Sequence, residues 1–313
     1  MKSCAFIYNP ESGKVKSQKN IEQVIKMFNQ YDYSVKCFPT KYREHAVKLA
    51  ASVKNVDLIL SCGGDGTLNE IVRGNLKRNK TVLMAHLPAG TTNDVGHMYG
   101  YTNNWYTNLQ LLLTGTKKNI DVCMINKRPF VYVACIGNYV DVAYNTPRDL
   151  KKKYGKLGYV IKALNELKGE LKLYKATYKV NNEVVTDEFS FIFISNTSRI
   201  GGINNIYDDV KLDDNEFEVI FCNLKNKAEL ASVIPQILTT KIKNLKGVKY
   251  YRTDKLEIEF EKSPKISWCI DGEEMKHRKK KFVFSVNKRI NMLLPKKNIV
   301  KLFKNIENEL TKN

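Results

Sequence analysis

The sequence predicts an α/β domain with a largely parallel sheet, followed by a mostly antiparallel, sandwich-like β-rich domain. Three observations carry this. Over residues 1–94 short apolar runs alternate with segments whose apolar residues recur at helical spacing, the β-α-β-α-β-α-β order of a parallel layer. The polar or glycine-rich turns at 9–13, 63–67 and 88–94 each follow one of those runs, at the strand ends where open α/β sheets bind ligands. After Lys117-Lys118-Asn119 the pattern turns to strands.

Residues 4–8 read as a strand that enters the turn Asn9-Pro10-Glu11-Ser12-Gly13. Ile21, Val24, Ile25 and Phe28 then predict a helix over roughly 17–30. A strand over 33–38 and a helix marked by Ala46, Leu49, Ala50 and Val53 follow. Leu58-Ile59-Leu60 is a short continuous apolar run, as buried parallel strands are. Beyond its glycine turn, Leu68, Ile71 and Val72 open a third helix. A strand over 81–87 and a short helix over 105–114 complete this part. Residues 120–136 read as two strands joined at Asn126-Lys127, and 157–167 as a helix. Further strands are expected at 171–180, 188–195, 216–222, 255–260, 266–270, 280–286 and 290–294, with a helix near 227–240. Leu256, Ile258 and Phe260 alternate with Glu257 and Glu259, the mark of a half-exposed strand. Residues 299–310 read as a closing helix that packs back on the first domain. The expected division is 1–123 with 295–313, and 124–294.

Composition narrows the partners. The chain of 313 residues carries 52 Lys+Arg against 32 Asp+Glu, a formal net charge of +20, which favours an anionic partner: nucleic acid, an anionic membrane or a phosphorylated substrate. Part of that charge is also explained by lysine-rich solvated surface. The seven cysteines form no CxxC pair, against a zinc site or a disulfide framework, and most are flanked by apolar residues as buried cysteines are. No apolar run reaches bilayer length and no signal peptide is visible. The expected location is the cytoplasm, with transient contact at a membrane surface.

The stretch Gly63-Gly64-Asp65-Gly66-Thr67 organises the first domain. It is neither a Walker loop, which needs a GK[ST] ending, nor a GxGxxG fingerprint. Glycines and a helix start favour an anion, most simply a phosphate. Asp65 is then out of place unless a metal lies between carboxylate and phosphate or the carboxylate handles a proton.

Asn9-Pro10-x-Ser12-Gly13, Gly63-Gly64-Asp65-Gly66-Thr67-x-Asn69-Glu70 and Pro88-x-Gly90-Thr91-x-Asn93-Asp94, in that order, resemble the diacylglycerol kinase catalytic domain, whose superfamily includes sphingosine and ceramide kinases. Gly137, Thr146-Pro147, Leu212-Asp213-Asp214 and Asp271-Gly272-Glu273 extend the resemblance over nearly the whole chain, most closely to the soluble bacterial lipid kinases. It departs at Asn215, where the family usually has Gly, and at Asn138-Tyr139. Asn is the best substitute for Gly at positive φ, so the turn at 215 is expected to survive.

The resemblance implies ATP and Mg²⁺ in a cleft between the domains, and a lipid alcohol as acceptor, diacylglycerol first. It implies a nucleotide site of Asn9, Ser12, Gly13, Thr40, Gly63, Gly64, Asp65, Gly66, Thr67, Asn69, Glu70, Gly90, Thr91, Asn93 and Asp94. Asp65 and Asp94 join the nucleotide–metal network; Asp271 is the candidate base, with Glu273 orienting it or binding metal; Asp213 and Asp214 belong to a second, structural metal site. Each role has a plain structural rival. Asn9 caps turns, Asp65 and Asp94 suit helix N-caps, and Asp-Gly is a common hairpin turn. Asp208, Asp209, Asp213, Asp214 and Glu216 also make an ordinary solvated loop. His86, in a strand, reads as a core histidine. The basic runs at 148–156 and at Lys276, Arg278, Lys279, Lys280 and Lys281 suit an anionic lipid surface or plain solvent. A homodimer is compatible with all of this. Rival functions are a kinase for sphingosine, ceramide or phosphatidylglycerol, an NAD kinase, which shares GGDGT, and a nucleotide- or nucleic-acid-binding protein, for which no RRM, KH or zinc signature speaks.

Overall fold

The structure, a computed structural model, describes residues 1–138, 171–200, 203–204, 206–207, 209–237 and 242–304. The expected helix over 157–167, the basic run at 148–156, Thr146-Pro147, Tyr139 and Asp208 lie outside the described residues.

In chain order the elements begin β1 Lys2–Tyr8, α1 Gln18–Gln30, β2 Tyr33–Pro39, α2 His45–Ser52, β3 Leu58–Gly63, α3 Asp65–Asn75, β4 Leu83–Pro88, α4 Asp94–Met98 and α5 Trp105–Leu113. They continue β5 Thr116–Ile125, β6 Arg128–Phe130, β7 Val133–Gly137, β8 Tyr174–Val180, β9 Glu183–Phe189, β10 Phe191–Ser195, β11 Arg199–Ile200 and β12 Ile203–Asn204. The rest are β13 Phe217–Cys222, α6 Lys227–Ile237, β14 Val248–Thr253, β15 Lys255–Phe260, β16 Trp268–Ile270, β17 Glu273–Met275, β18 Lys281–Leu294 and α7 Ile299–Leu302.

The chain divides into two compact units, Met1–Val122 with Lys211–Asp214 and Lys288–Asn313, and Cys123–Val210 with Asn215–Asn287. In the first unit β2, β1, β3 and β4 lie side by side and parallel, and the C-terminal part of β18 pairs in parallel with β4, Met292 opposite Met84. Every residue of β3 is buried, as its apolar run requires. Val24 and Phe28, four apart on α1, carry the helix onto this core. Residues 211–214 join this unit through backbone bonds on both sides: Asp121 N–H donates to Leu212 O at 2.7 Å and Leu212 N–H to Leu302 O at 2.8 Å.

The second unit holds two antiparallel arrays. The N-terminal part of β18 pairs with β15, β15 with β8, and β8 with β9. The other array runs β14-β13-β10-β7-β16-β17. Their inner faces share a core that includes Trp268, Tyr178, Phe189, Phe221, Phe282 and Phe284. Leu256, Ile258 and Phe260 point into it, as their alternation predicts.

Four differences from the expected elements have physical reasons. The strand expected at 188–195 is two: β8 and β9 form a hairpin through Asn181 and Asn182, both at positive φ (47° and 67°), and β10 follows. That is a type I′ turn built by Asn-Asn. The strand at 248–253 was not anticipated; it completes the sheet edge beside β13. The strands expected at 280–286 and 290–294 are one: Phe282 and Phe284 before, and Ile290, Met292 and Leu294 after, keep the same parity across an exposed stretch at 287–289. The expected closing helix is helical over Ile299–Leu302; Phe303 is then extended and buried (φ −131°, ψ 144°), the backbone N–H of Lys304 donates to Asp213 Oδ1 at 2.9 Å, and 305–310 lie outside the described residues.

Candidate active site

In the first unit the three predicted loops meet beyond the ends of β1, β3 and β4. Asn9 N–H donates to Cys62 O at 3.1 Å, and the N–H groups of Ala89 and Gly90 both donate to Gly63 O, at 2.8 and 3.2 Å. Gly64 and Gly90 touch back to back: a Cβ on Gly90 would come 2.5 Å from the Gly64 Cα, and one on Gly63 would come 2.4 Å from the Thr67 hydroxyl. These two glycines are therefore required by loop packing. At Gly13 and Gly64 a Cβ would meet nothing closer than 4.0 and 3.5 Å, so there the absent side chain leaves backbone open to a ligand.

The side chains in this cluster are largely employed in building it. Asn9 Oδ1 accepts from Glu11 N–H at 3.0 Å, so the turn-capping use is the one seen. Asn93, itself left-handed (φ 50°), clasps Gly90: its Oδ1 accepts from Gly90 N–H at 2.8 Å and its Nδ2 donates to Gly90 O at 2.9 Å. Thr40 N–H donates to Tyr8 O at 2.8 Å, which draws the loop after β2 to the end of β1. Ser12 and Asn69 are buried, while Thr91 is exposed.

Asp65 and Glu70, the two acids of the central motif, cap helices from outside. Asp65 Oδ2 accepts from Asp94 N–H at 3.0 Å and Oδ1 from Val95 N–H at 3.2 Å, at the start of α4, whose own N-cap side chain makes no capping bond. Glu70 accepts from Glu44 N–H at 3.0 Å and Ala46 N–H at 3.1 Å, and so does the same for α2. An acid at a helix N-terminus satisfies orphan N–H groups and complements the dipole. The Glu70 carboxylate is thus engaged by the start of α2. Asp65 Oδ2 likewise lies on the Asp94 backbone, and the Asp94 side chain is buried.

Lys14 was not singled out from the sequence. It follows the 9–13 turn, its ammonium donates to the Asn103 carbonyl, and burial pulls its pKa below the usual lysine value. The signal was available: a lysine directly after a glycine turn.

Asp271 occupies the second unit. Asp271 (φ 50°) and Gly272 (φ 82°) form a type I′ turn between β16 and β17, with Ile270 opposite Glu273. The turn reading thus holds, yet the carboxylate is not spent on the turn. It points inward, where Oδ1 accepts from Tyr132 and Val133 N–H, both at 2.9 Å, and Oδ2 from Val131 N–H at 2.9 Å. Donors of this kind favour a charged carboxylate. Glu273 is ion-paired with Arg128 at 3.3 Å.

At the expected structural metal site the chain supplies its own cations. Asp214, with a side chain 1% exposed, has Lys304 Nζ at 3.9 Å; Asp213 holds Lys304 N–H; and buried Asp121 pairs with Arg289 at 2.7 Å. Among the described residues no three His, Cys, Asp or Glu side chains stand close enough to hold a metal. Asn215 does take the left-handed conformation expected of it (φ 61°). His86 is a core residue as read: Nδ1 lies 3.1 Å from Ser61 Oγ, Nε2 has no partner, and burial drives its pKa down to about 3.

Comparison with known proteins agrees with this architecture. The diacylglycerol kinase catalytic domain matches residues 3–125, and the YegS C-terminal NAD kinase beta sandwich-like domain matches 135–286. The chain belongs to the diacylglycerol kinase superfamily. It is 27% identical over 300 residues to a diacylglycerol kinase of Bacillus subtilis (strain 168), covering 95% of this chain and 97% of that one. It is 29% identical over 235 residues to one of Staphylococcus aureus (strain MRSA252), covering 74% of each. Two crystal structures described as diacylglycerol kinases of Bacillus anthracis str. Sterne share the fold. Their TM-scores are 0.81 and 0.75 at 22% and 21% identity; each covers 95% of this chain, with 97% and 99% of those chains matched. Among the described residues no helix is long and apolar enough to cross a membrane.

Proposed function

We propose that this protein is an ATP-dependent lipid kinase that transfers the γ-phosphate of ATP to the hydroxyl of diacylglycerol, giving phosphatidic acid. The observation that carries the reading is the convergence of the loops at 9–13, 63–67 and 88–94 on one set of strand ends, with Asp65 against Asp94, in a chain of this superfamily. Phosphoryl transfer asks chiefly for positioning and charge stabilisation. The backbone of Gly13, Gly64, Gly66 and Thr67 would cradle the phosphates, with Ser12 and Thr91 as side-chain donors and Lys14 as the countercharge. The pair of carboxylates suits Mg²⁺, which commonly takes one or two carboxylates and completes its shell with phosphates and water; held by Asp65 and Asp94, it would neutralise charge on the transferring group. Asp271, through Oδ2, is the proposed acceptor of the proton from the attacking hydroxyl, and Glu273 with Arg128 steadies the turn that carries it.

Lys276, Arg278, Lys279, Lys280 and Lys281 are exposed and suit peripheral contact with an anionic bilayer. The test is transfer of radiolabelled phosphate from ATP to a panel of lipid alcohols in mixed micelles with Mg²⁺. Labelled phosphatidic acid supports the proposal, and labelling of another lipid moves the acceptor. No labelled lipid with ATP binding intact overturns it.

A further inference from the structure

The second unit contains a cavity of about 720 Å³ between the C-terminal ends of β9 and β13, the start of β14, and α6. It lies at the far end of the sheet from Asp271. Asp271 N–H bonds Val133 O at the first residue of β7, whereas the cavity is lined by Phe221, level with Ile136 near the other end of that strand, and by Phe189 beyond that end. Four or five residues of strand separate the two places, roughly 15 Å. The side chains between them are packed core. The cavity's size is within the range of small-molecule sites, about 300–1,000 Å³.

Its lining is specific. Phe189, Phe221, Leu224, Val233 and Val248 give an apolar floor. Lys225, Lys246 and Lys249 stand on the wall. Lys249 is matched by Asp187 at 2.6 Å, whereas the side chains of Lys225 and Lys246 are exposed and make no ion pair among the described residues; Glu229, also in the lining, accepts from the Lys225 backbone N–H at 2.7 Å. Asn223, also in the lining, has a buried Oδ1 that receives no hydrogen bond. Its orientation is fixed, since exchanging O and N would turn an oxygen toward the Asp187 carboxylate, 3.5 Å from Nδ2. A buried acceptor left unpaired costs free energy that a ligand donor recovers.

We propose that this cavity is a second lipid site that binds a single-chain acyl glycerophosphate: one acyl chain on the apolar floor, the phosphate on Lys225 and Lys246, and the free glycerol hydroxyl donating to Asn223 Oδ1. Each feature excludes a simpler occupant. A fatty acid anion has no donor for Asn223, a monoacylglycerol has no charge for the lysines, and a two-chain lipid leaves a chain in water. The proposal does not rest on the kinase reading, because the cavity is remote from Asp271 and its occupant is not the acceptor.

The probe is 1-oleoyl-glycerol 3-phosphate below its micellar concentration, with binding to the full chain followed by equilibrium dialysis. Wild type is expected to bind it at least about tenfold more tightly than oleate or monoolein, a gap of about 1.4 kcal/mol. The charge reversal K225E/K246E, on exposed side chains, is expected to abolish that preference while circular dichroism stays unchanged. Asn223→Leu should bring the glycerophosphate down to the level of oleyl phosphate, which lacks the hydroxyl. No binding, equal binding by oleate, or undiminished binding by K225E/K246E overturns the proposal. Stoichiometric displacement by diacylglycerol also overturns it, because the cavity would then be the acceptor's own.

Discussion

Asp271→Asn separates the two uses of this carboxylate. In the native turn three backbone N–H groups point at its oxygens, two at Oδ1 and one at Oδ2. The asparagine oxygen can keep the bonds from Tyr132 and Val133, but its NH₂ then faces the Val131 N–H, donor against donor. One charge-assisted bond is lost, worth about 1.5–3 kcal/mol, and the other two fall to the neutral range, about 1 kcal/mol lower each. The expected total is about 4 kcal/mol. For a unit of this size that lowers Tm by roughly 8–16 °C, measurable by calorimetry or circular dichroism. If Asp271 also takes the substrate proton, kcat for lipid phosphorylation measured below the new Tm falls by about 10²–10⁴. Gly272→Ala, which strains a residue at φ 82° without touching the carboxylate, should lower Tm and leave kcat of the folded enzyme unchanged. A Tm shift for Asp271→Asn of under about 2 °C refutes the clamp argument, by the same scaling. A folded Asp271→Asn enzyme with kcat within about tenfold of wild type refutes the base assignment.

Gly90→Ala must push a Cβ to 2.5 Å from the Gly64 Cα, so it should cost about 1–3 kcal/mol and raise KM for ATP, seen in denaturant melts and initial rates. Lys14→Met should raise KM for ATP about tenfold, the equivalent of 1.4 kcal/mol, with little change in melting temperature. His86 is held neutral to about pH 3 in the folded chain, whereas in the unfolded chain it protonates near 6.5. The unfolded state therefore binds the extra proton, and stability falls as pH drops from 6.5 toward 3, by a few kcal/mol at the limit; His86→Phe should flatten that part of a urea-melt pH series. Under native conditions a maleimide should label Cys37 first, because the other six cysteines are buried, with Cys4 for instance pushed up to about 12 by burial.

The parallel layer was legible because its strands and helices follow their own hydrophobic periods: Leu58-Ile59-Leu60 and the Val24–Phe28 spacing need no tertiary information. The second unit was harder where polar residues form strands. Glu183–Phe189 is an edge strand with acids at Glu183, Asp187 and Glu188 and only Phe189 buried, and only the Asn181-Asn182 turn betrays it. That the loops at 9–13, 63–67 and 88–94 lie at strand ends was also readable, whereas the direction of each side chain was not. Nothing local in Gly63–Glu70 says that Asp65 reaches α4 and Glu70 reaches α2, since both partners lie more than twenty residues away in the chain. Asp271 shows the same limit: its turn was predictable from two residues, and its inward carboxylate depends on a strand start about 140 residues earlier.

The two trans-acting caps bear on how such a chain would age. A descendant that gave up phosphoryl transfer would still need Asp65 and Glu70 to keep α4 and α2 in place, and Gly63 and Gly90 to let its loops touch. Its recognisable signature would survive the activity, held by folding alone. Drift would show first at positions with no architectural duty, such as the exposed Thr91 and the glycine-bounded backbone at Gly13. On the proposed phosphate role of Thr91 and Gly13, those positions, more than the central motif, would distinguish a working kinase from a retired one.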